Sequence, residues 1–272
     1  MNKIWQALAR EAALAAEHLA IGATIIGKAN YAETAYYGQA FFALATGFER
    51  AAKLSLVIDH ALKNNGQFPT SKVLRDYGHN LSALLTKVDE IAAQRQLRRR
   101  LPNSEIHNSI IKLLTDFANN VTRYYNLDLV TGNPITEKQI DPVSAWFDQV
   151  VVPILRKHQT KRQKNKIQQN ARLIDELIGC HAMVMHHSES GDELNTVYDA
   201  SFQTGITEAA KPYVRMYVMQ IVRFMGHVLS ELGYAAYGTD MDTIPHLSEF
   251  FAIFNNNDQY FKSRRTWSIY RP

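Results

Sequence analysis

The sequence has one cysteine in 272 residues, Cys180, so no internal disulfide can form. A reducing compartment is expected, and the cytoplasm with it. Long apolar runs are also missing. The N-terminal MNKIWQALAREAALAAEHLAIGATIIG is broken by Arg10, Glu11 and Glu17. Those charges argue against a signal-peptide core or a membrane span and leave an amphipathic helix, so no membrane partner is expected. No glycine-rich phosphate loop, serine nucleophile elbow or paired-cysteine motif occurs, which removes the commonest nucleotide-hydrolase, serine-hydrolase and zinc-ribbon readings. Two-residue alternation of apolar and polar residues is almost absent. Sheet is therefore excluded as the main architecture, and the chain reads as all-α, an antiparallel helical bundle with a helical C-terminal half.

Apolar residues at steps of three and four mark the helices. The first is expected over Asn2–Ile26 and the second through Phe41–Leu62. The third is expected from His79 to Arg100 and the fourth from Ser104 to Tyr125. Thr131-Gly132-Asn133-Pro134 reads as a turn and suggests a boundary, with a bundle over 1–132 and a helical region over 133–272, two parts able to pack into one domain. Asp141-Pro142 is a cap followed by proline at the first helical position. A helix is expected from there to the basic run at Arg156, then another over Lys161–His187. Ser188–Thr207 reads as a polar loop. The best helix of the second half spans Lys211–Leu232, and a short one His246–Phe254. Arg75-x-x-Gly78-His79 recurs as Arg223-x-x-Gly226-His227, an echo whose flanks do not match.

The stretch from Phe41 to Leu85 organises the rest. Phe41, Leu44, Phe48, Ala51, Ser55, Ile58 and Leu62 share one helical face, and small Ala51 and Ser55 let a neighbouring helix come close. Glu49 and Lys53 lie four apart, acid before base. Asn64-Asn65-Gly66 is helix-stop chemistry. Glu49-Arg50-Ala51-Ala52-Lys53, a proline-containing loop, then Gly78-His79-Asn80-Leu81 with Leu84-Leu85 resembles the front half of a HEPN (higher eukaryote and prokaryote nucleotide-binding) domain. The resemblance covers residues 31–130. It implies a compact helical bundle, often dimeric, in a family that includes defence and toxin ribonucleases and inactive partners of nucleotidyltransferases.

Ribonuclease members of that family carry an arginine and, four to six residues on, a histidine; two such motifs meet across a dimer and need no metal. The matching place is Arg123, but Asp128, Leu129 and Val130 stand where the histidine would be. The resemblance implies Arg123 as phosphate holder with Asn126 and Asp128 beside it, and His79 and His107 as candidate acid–base groups. The alternative is a structural Arg123, paired with a carboxylate, in a non-catalytic module that regulates a partner protein or nucleotide. An antitoxin, RNA and a second copy of the chain are the implied partners.

Net charge is only +4, yet fourteen of the thirty Lys and Arg fall in three short patches. These are Arg95–Arg100, Arg156–Lys166 and the tail from Lys262 to Arg271. Arg98, Arg99, Arg100, Lys161, Arg162, Lys164 and Lys166 are the candidate nucleic-acid contacts. Their bland alternative is a set of solvated helix ends, since bases favour helix C-termini. Cys180, His181, His186 and His187 with Glu189 and Asp192 do not present zinc ligands on one face, so neither metal nor cofactor is expected.

Overall fold

The computed structural model describes residues 2–133 and 140–270. Asn2 begins helix α1 (Lys3–Ile26) by accepting the amide of Ile4. Helix α2 (Ala35–Lys63) runs against α1 along a seam of small residues that includes Ala12, Ala16, Ala23, Ala40 and Ala51. Two glycines set the spacing. A Cβ at Gly22 would lie 2.6 Å from Cγ of Leu44, and one at Gly47 would lie 2.9 Å from the backbone nitrogen of Leu19. Neither helix could carry a side chain at those points without moving apart.

Asn65 and Gly66 take left-handed backbone and stop α2, as their chemistry predicts. Thr70 caps the short α3 (Ser71–Asp76), and Asn80 caps α4 (Leu81–Gln94) by accepting the amide of Ala83. Helix α4 ends six residues before the expected Arg100. Left-handed Gln96 turns the chain there, and the amide of Leu97 reaches back to the carbonyl of Ala92. Helix α5 (Glu105–Ala118) likewise ends before the expected Tyr125. Left-handed Asn120 and a bond from Val121 to the Asp116 carbonyl close it. Arg123 therefore lies in a turn between α5 and the one-to-two-turn helix α6 (Tyr125–Thr131), which Gly132 terminates. Pro134 lies outside the described residues.

The second half starts as its cap predicts. Asp141 accepts the amides of Val143 and Ser144, and proline opens helix α7 (Pro142–Trp146). A wide π-helical turn at Phe147–Val151 joins it to α8 (Val152–His158). Helix α9 (Lys161–Ile178) stops nine residues short of the expected His187. At its end the Asp175 carboxylate reaches over to accept the amide of Tyr198.

The expected loop over Ser188–Thr207 is instead a small ribbon and a helix. Strand β1 (His186–His187) pairs antiparallel with β2 (Glu193–Leu194), turning at left-handed Gly191. Helix α10 (Val197–Tyr237) then runs 41 residues, opened by a Thr196–Asp199 capping box and continuing through Pro212. The capping box outweighs the polar composition that reads as a loop. Helix α11 (Ser248–Phe251) and helix α12 (Asp258–Ser263) are the last helices, and Trp267 beyond them joins the core; α12 carries too little apolar pattern to be read from sequence.

Helix α10 packs on α9 and α12 and also on α1, α2 and α5. Leu44, Phe48, Leu84 and Ile110 from one side of residue 132 share a continuous core with Val218, Met225, Phe251 and Phe254 from the other. The ribbon is held by a buried acid. Glu189, 2% exposed, accepts from Tyr37 Oη, Gln203 Nε2 and Thr207 Oγ1. Burial and this carboxylate push the Tyr37 hydroxyl well above the ordinary tyrosine range. Among the described residues no helix is long and apolar enough to cross a membrane.

Two outcomes follow from the seam and the ribbon. Gly22→Ala and Gly47→Ala should each lower stability by about 1–3 kcal/mol in urea unfolding, although alanine is the better helix former. Glu189→Ala should cost about 2–4 kcal/mol in the same measurement, because it strands three buried donors.

Candidate functional site

The structure gathers six of the twelve candidate residues into two places. Arg98, Arg99, Arg100 and His107 line one open cleft of about 380 Å³ together with Gln220 and Arg223 of α10. Arg123 and Asn126 line a second cavity of about 830 Å³. His79 lines neither; it is exposed at the start of α4 and donates from Nδ1 to Oε1 of Glu49, the oxygen that also receives Lys53. Asp128 sits on α6 and accepts from Asn133 rather than facing the cavity.

The arginine cleft is built by two acids that pin its loop. Asp59, nearly buried on α2, receives Arg95 at 2.7 Å and Lys63 at 2.7 Å. Asp89 on α4 takes both Nε and Nη2 of Arg100 and also the amide of Leu101. These bonds hold the Asp89 carboxyl below the usual range against the opposing effect of burial, and they raise Arg100. Across the cleft Arg223 pairs with Asp258 at 3.0 Å. The acids thus meet Arg95, Arg100 and Arg223, and leave Arg98 and Arg99 with no carboxylate among the described residues. Arg99 has only a 3.5 Å contact with the Asn255 amide oxygen. Its own burial, then Arg223 and Arg98, press its guanidinium below the ordinary arginine value. Arg99 and Arg98 add to burial in lowering His227, which is one helical turn beyond Arg223. The cleft is short of negative charge.

His107 forms part of the floor and is 6% exposed. Gln220 Nε2 donates to Asp258 at 2.9 Å, so the glutamine oxygen must face His107 Nε2, 2.7 Å away. That nitrogen therefore carries the proton, and Nδ1 accepts from Ser104 Oγ at 2.7 Å. Both ring nitrogens are engaged, and Tyr217 meets the ring edge-on. Burial is the largest influence and lowers the His107 pKa from 6.5. The Asp258 carboxylate thus sets a tautomer through an intervening amide. Gln220, Arg223 and Asp258 were not readable as site residues from sequence. The one signal was the Arg223–His227 spacing, which the echo with Arg75–His79 disguised; Arg75 instead bonds its own helix at Ser71.

Lys161, Arg162, Lys164 and Lys166 are exposed on the first two turns of α9. Arg156 and Lys157 end α8, where cations are favoured. The α9 group occupies a helix N-terminus, where the dipole disfavours them, so helix-end preference does not account for it. Arg271 lies outside the described residues.

In the second cavity Arg123 is clamped between two aromatic rings, with Cζ 5.5 Å from Phe42 and 5.4 Å from Phe117. Among the described residues it pairs with no carboxylate. Nη2 makes one long bond to the Ala118 carbonyl, and Nε and Thr122 Oγ1 are enclosed with no hydrogen-bond partner among the described residues. The start of α2 contributes Gly38, whose missing Cβ would meet nothing within 4 Å. Among the described residues no group of three or more His, Cys, Asp or Glu is placed to hold a metal ion. Comparisons with protein-family models, with curated proteins and with solved structures found no match.

Burial lowers His107, and likewise His18, His158 and His227. A histidine with a lowered folded pKa binds its proton more readily in the unfolded chain, so stability is full above about pH 6.5 and falls as pH drops through that window. Urea midpoints should therefore decline from about pH 7.5 to pH 5.5, and His107→Gln should flatten the decline.

Proposed function

We propose that this chain is a HEPN-like RNA-binding protein that takes RNA phosphates in the arginine cleft. The observation that carries the reading is the charge imbalance there. Arg98 and Arg99 pair with no carboxylate among the described residues, because Asp89 and Asp258 are taken by Arg100 and Arg223, and Arg223 opposes Arg99. A phosphodiester is the anion whose geometry an arginine fork fits, and two adjacent unmatched arginines favour successive phosphates of a polymer over a single one. The α9 cations, held at the unfavourable end of their helix, supply a second exposed contact for the same polyanion. The resemblance over residues 31–130 adds a setting: a cytoplasmic protein of a prokaryotic defence or toxin–antitoxin system, acting as a homodimer.

Cleavage is the more demanding part of the reading. A general base needs a free ring nitrogen within reach of the 2′-hydroxyl, and both nitrogens of His107 are occupied. His79 and Arg123 sit outside the cleft. The geometry therefore favours binding over metal-independent hydrolysis. A non-catalytic module that docks a partner protein is the second reading, favoured by the same engaged imidazole.

The deciding measurement is salt-dependent binding of total and transfer RNA, followed by metal-free incubation. Arg98→Ala with Arg99→Ala should weaken binding about tenfold or more and reduce the slope of log K against log salt by about 1–2. RNA should remain intact. Cleavage lost in Arg123→Ala, His79→Ala or His107→Ala would make the protein a ribonuclease. Binding unaltered by the double change would remove the cleft from the reading, and no binding at all would leave the protein-docking module.

A further inference from the structure

Helix α9 is held on the body by little of its surface. Ala171 is its one buried residue. Beside it Ile167 sits against Gly205 of α10, where an added Cβ would lie 2.5 Å from Cγ2 of the isoleucine. Leu173 and Leu177 project from the opposite side, 55% and 67% exposed, and Ile174 and Ile178 cover one flank at 40% and 48%. These four residues span an arc of more than about 100°, the width by which a helix ordinarily buries itself in a core. Here that arc faces outward. Met183 and Met185 follow just beyond the helix end, 88% and 81% exposed.

Area, charge and symmetry point to one kind of cover. The six side chains together expose on the order of 800 Å², the area each partner gives to a standard interface and more than a typical monomer leaves in one apolar patch. Residues 173–185 contain no Lys or Arg, so the patch offers a polyanion nothing. Their acids are Glu176 and Asp175, and the Asp175 carboxylate is turned to the amide of Tyr198. Two copies can therefore meet here without strong repulsion. An apolar helix face is also its own complement. In an antiparallel pair about a two-fold axis, Leu173 of each copy lies against Leu177 of the other.

We infer that two copies of the chain pair through this patch, α9 against α9 in antiparallel. The inference rests on the homodimer of the reading above and gives it a surface, one that lies outside residues 31–130. The pairing uses the last two turns of α9 and leaves the cations of its first two turns to phosphate.

The test is the mass of the whole chain by light scattering across a concentration series, joined to cross-linking at Cys180. That residue is the chain's only cysteine, is exposed, and lies between the helix end and the methionines. Wild type should be a dimer, and a short bismaleimide should join its two copies. Leu173→Glu with Leu177→Glu should weaken pairing about a hundredfold or more and remove the cross-link. Helical circular dichroism should be retained, because both side chains are exposed. A wild type that stays monomeric overturns the inference. So does a dimer that survives the double change, or one whose cysteines the bismaleimide fails to join; the homodimer then stands on another surface. Loss of RNA binding in the Arg98/Arg99 variant leaves the mass and the cross-link untouched, so the RNA reading and this one fail separately.

Discussion

The closeness of α1 and α2 is the constraint on which the rest depends. At Gly22 and Gly47 the two helices touch backbone to side chain, with no room for a methyl group. That contact fixes where α2 lies, and α2 in turn places almost everything functional. Its first turns carry Gly38, Phe41 and Phe42 into the large cavity. Its middle presents Glu49 to His79 and Lys53. Its last turns offer Asp59 to Arg95 and so aim the arginine loop. A shift of one ångström along this seam would be felt in both sites, because close-packed interiors pass displacement on rather than absorbing it.

Helix ends on both sides of residue 132 were legible in the sequence where local chemistry decided them. Asn64-Asn65-Gly66 and Asp141-Pro142 each act within a few residues, and each acts as its side chain dictates. The helix ends at Gln94 and Ala118 were not legible. They depend on Gln96 and Asn120 adopting left-handed backbone; glutamine gives no such signal, and Asn119-Asn120 lacks the glycine that marks Asn64-Asn65-Gly66. The early part of α10 was hidden for another reason. Ser188–Thr207 is polar because one buried acid, Glu189, gathers Gln203 and Thr207 around itself, so the inward face there is hydrogen-bonded rather than apolar.

The sites divide along the same line. Three adjacent arginines suggested an anion site at once. The half of the cleft from α10 and α12 could not be foreseen, since Gln220 lies 113 positions from His107 and contacts across such separations leave no periodic trace. Proximity also reassigns residues. His107 joins the arginines but is locked into a hydrogen-bond chain that ends at Asp258, while Arg123, some distance along the chain, faces a different cavity altogether.

The arginine loop is tied at both ends, by Asp59 to Arg95 and by Asp89 to Arg100, with Arg98 and Arg99 between the knots. Its backbone is therefore ordered before any anion arrives. The conformational entropy of the loop is lost during folding and does not recur at encounter. The proposed anion binding would need no disorder-to-order step there, and its speed would be set by diffusion and by the long-range field of the unmatched charges.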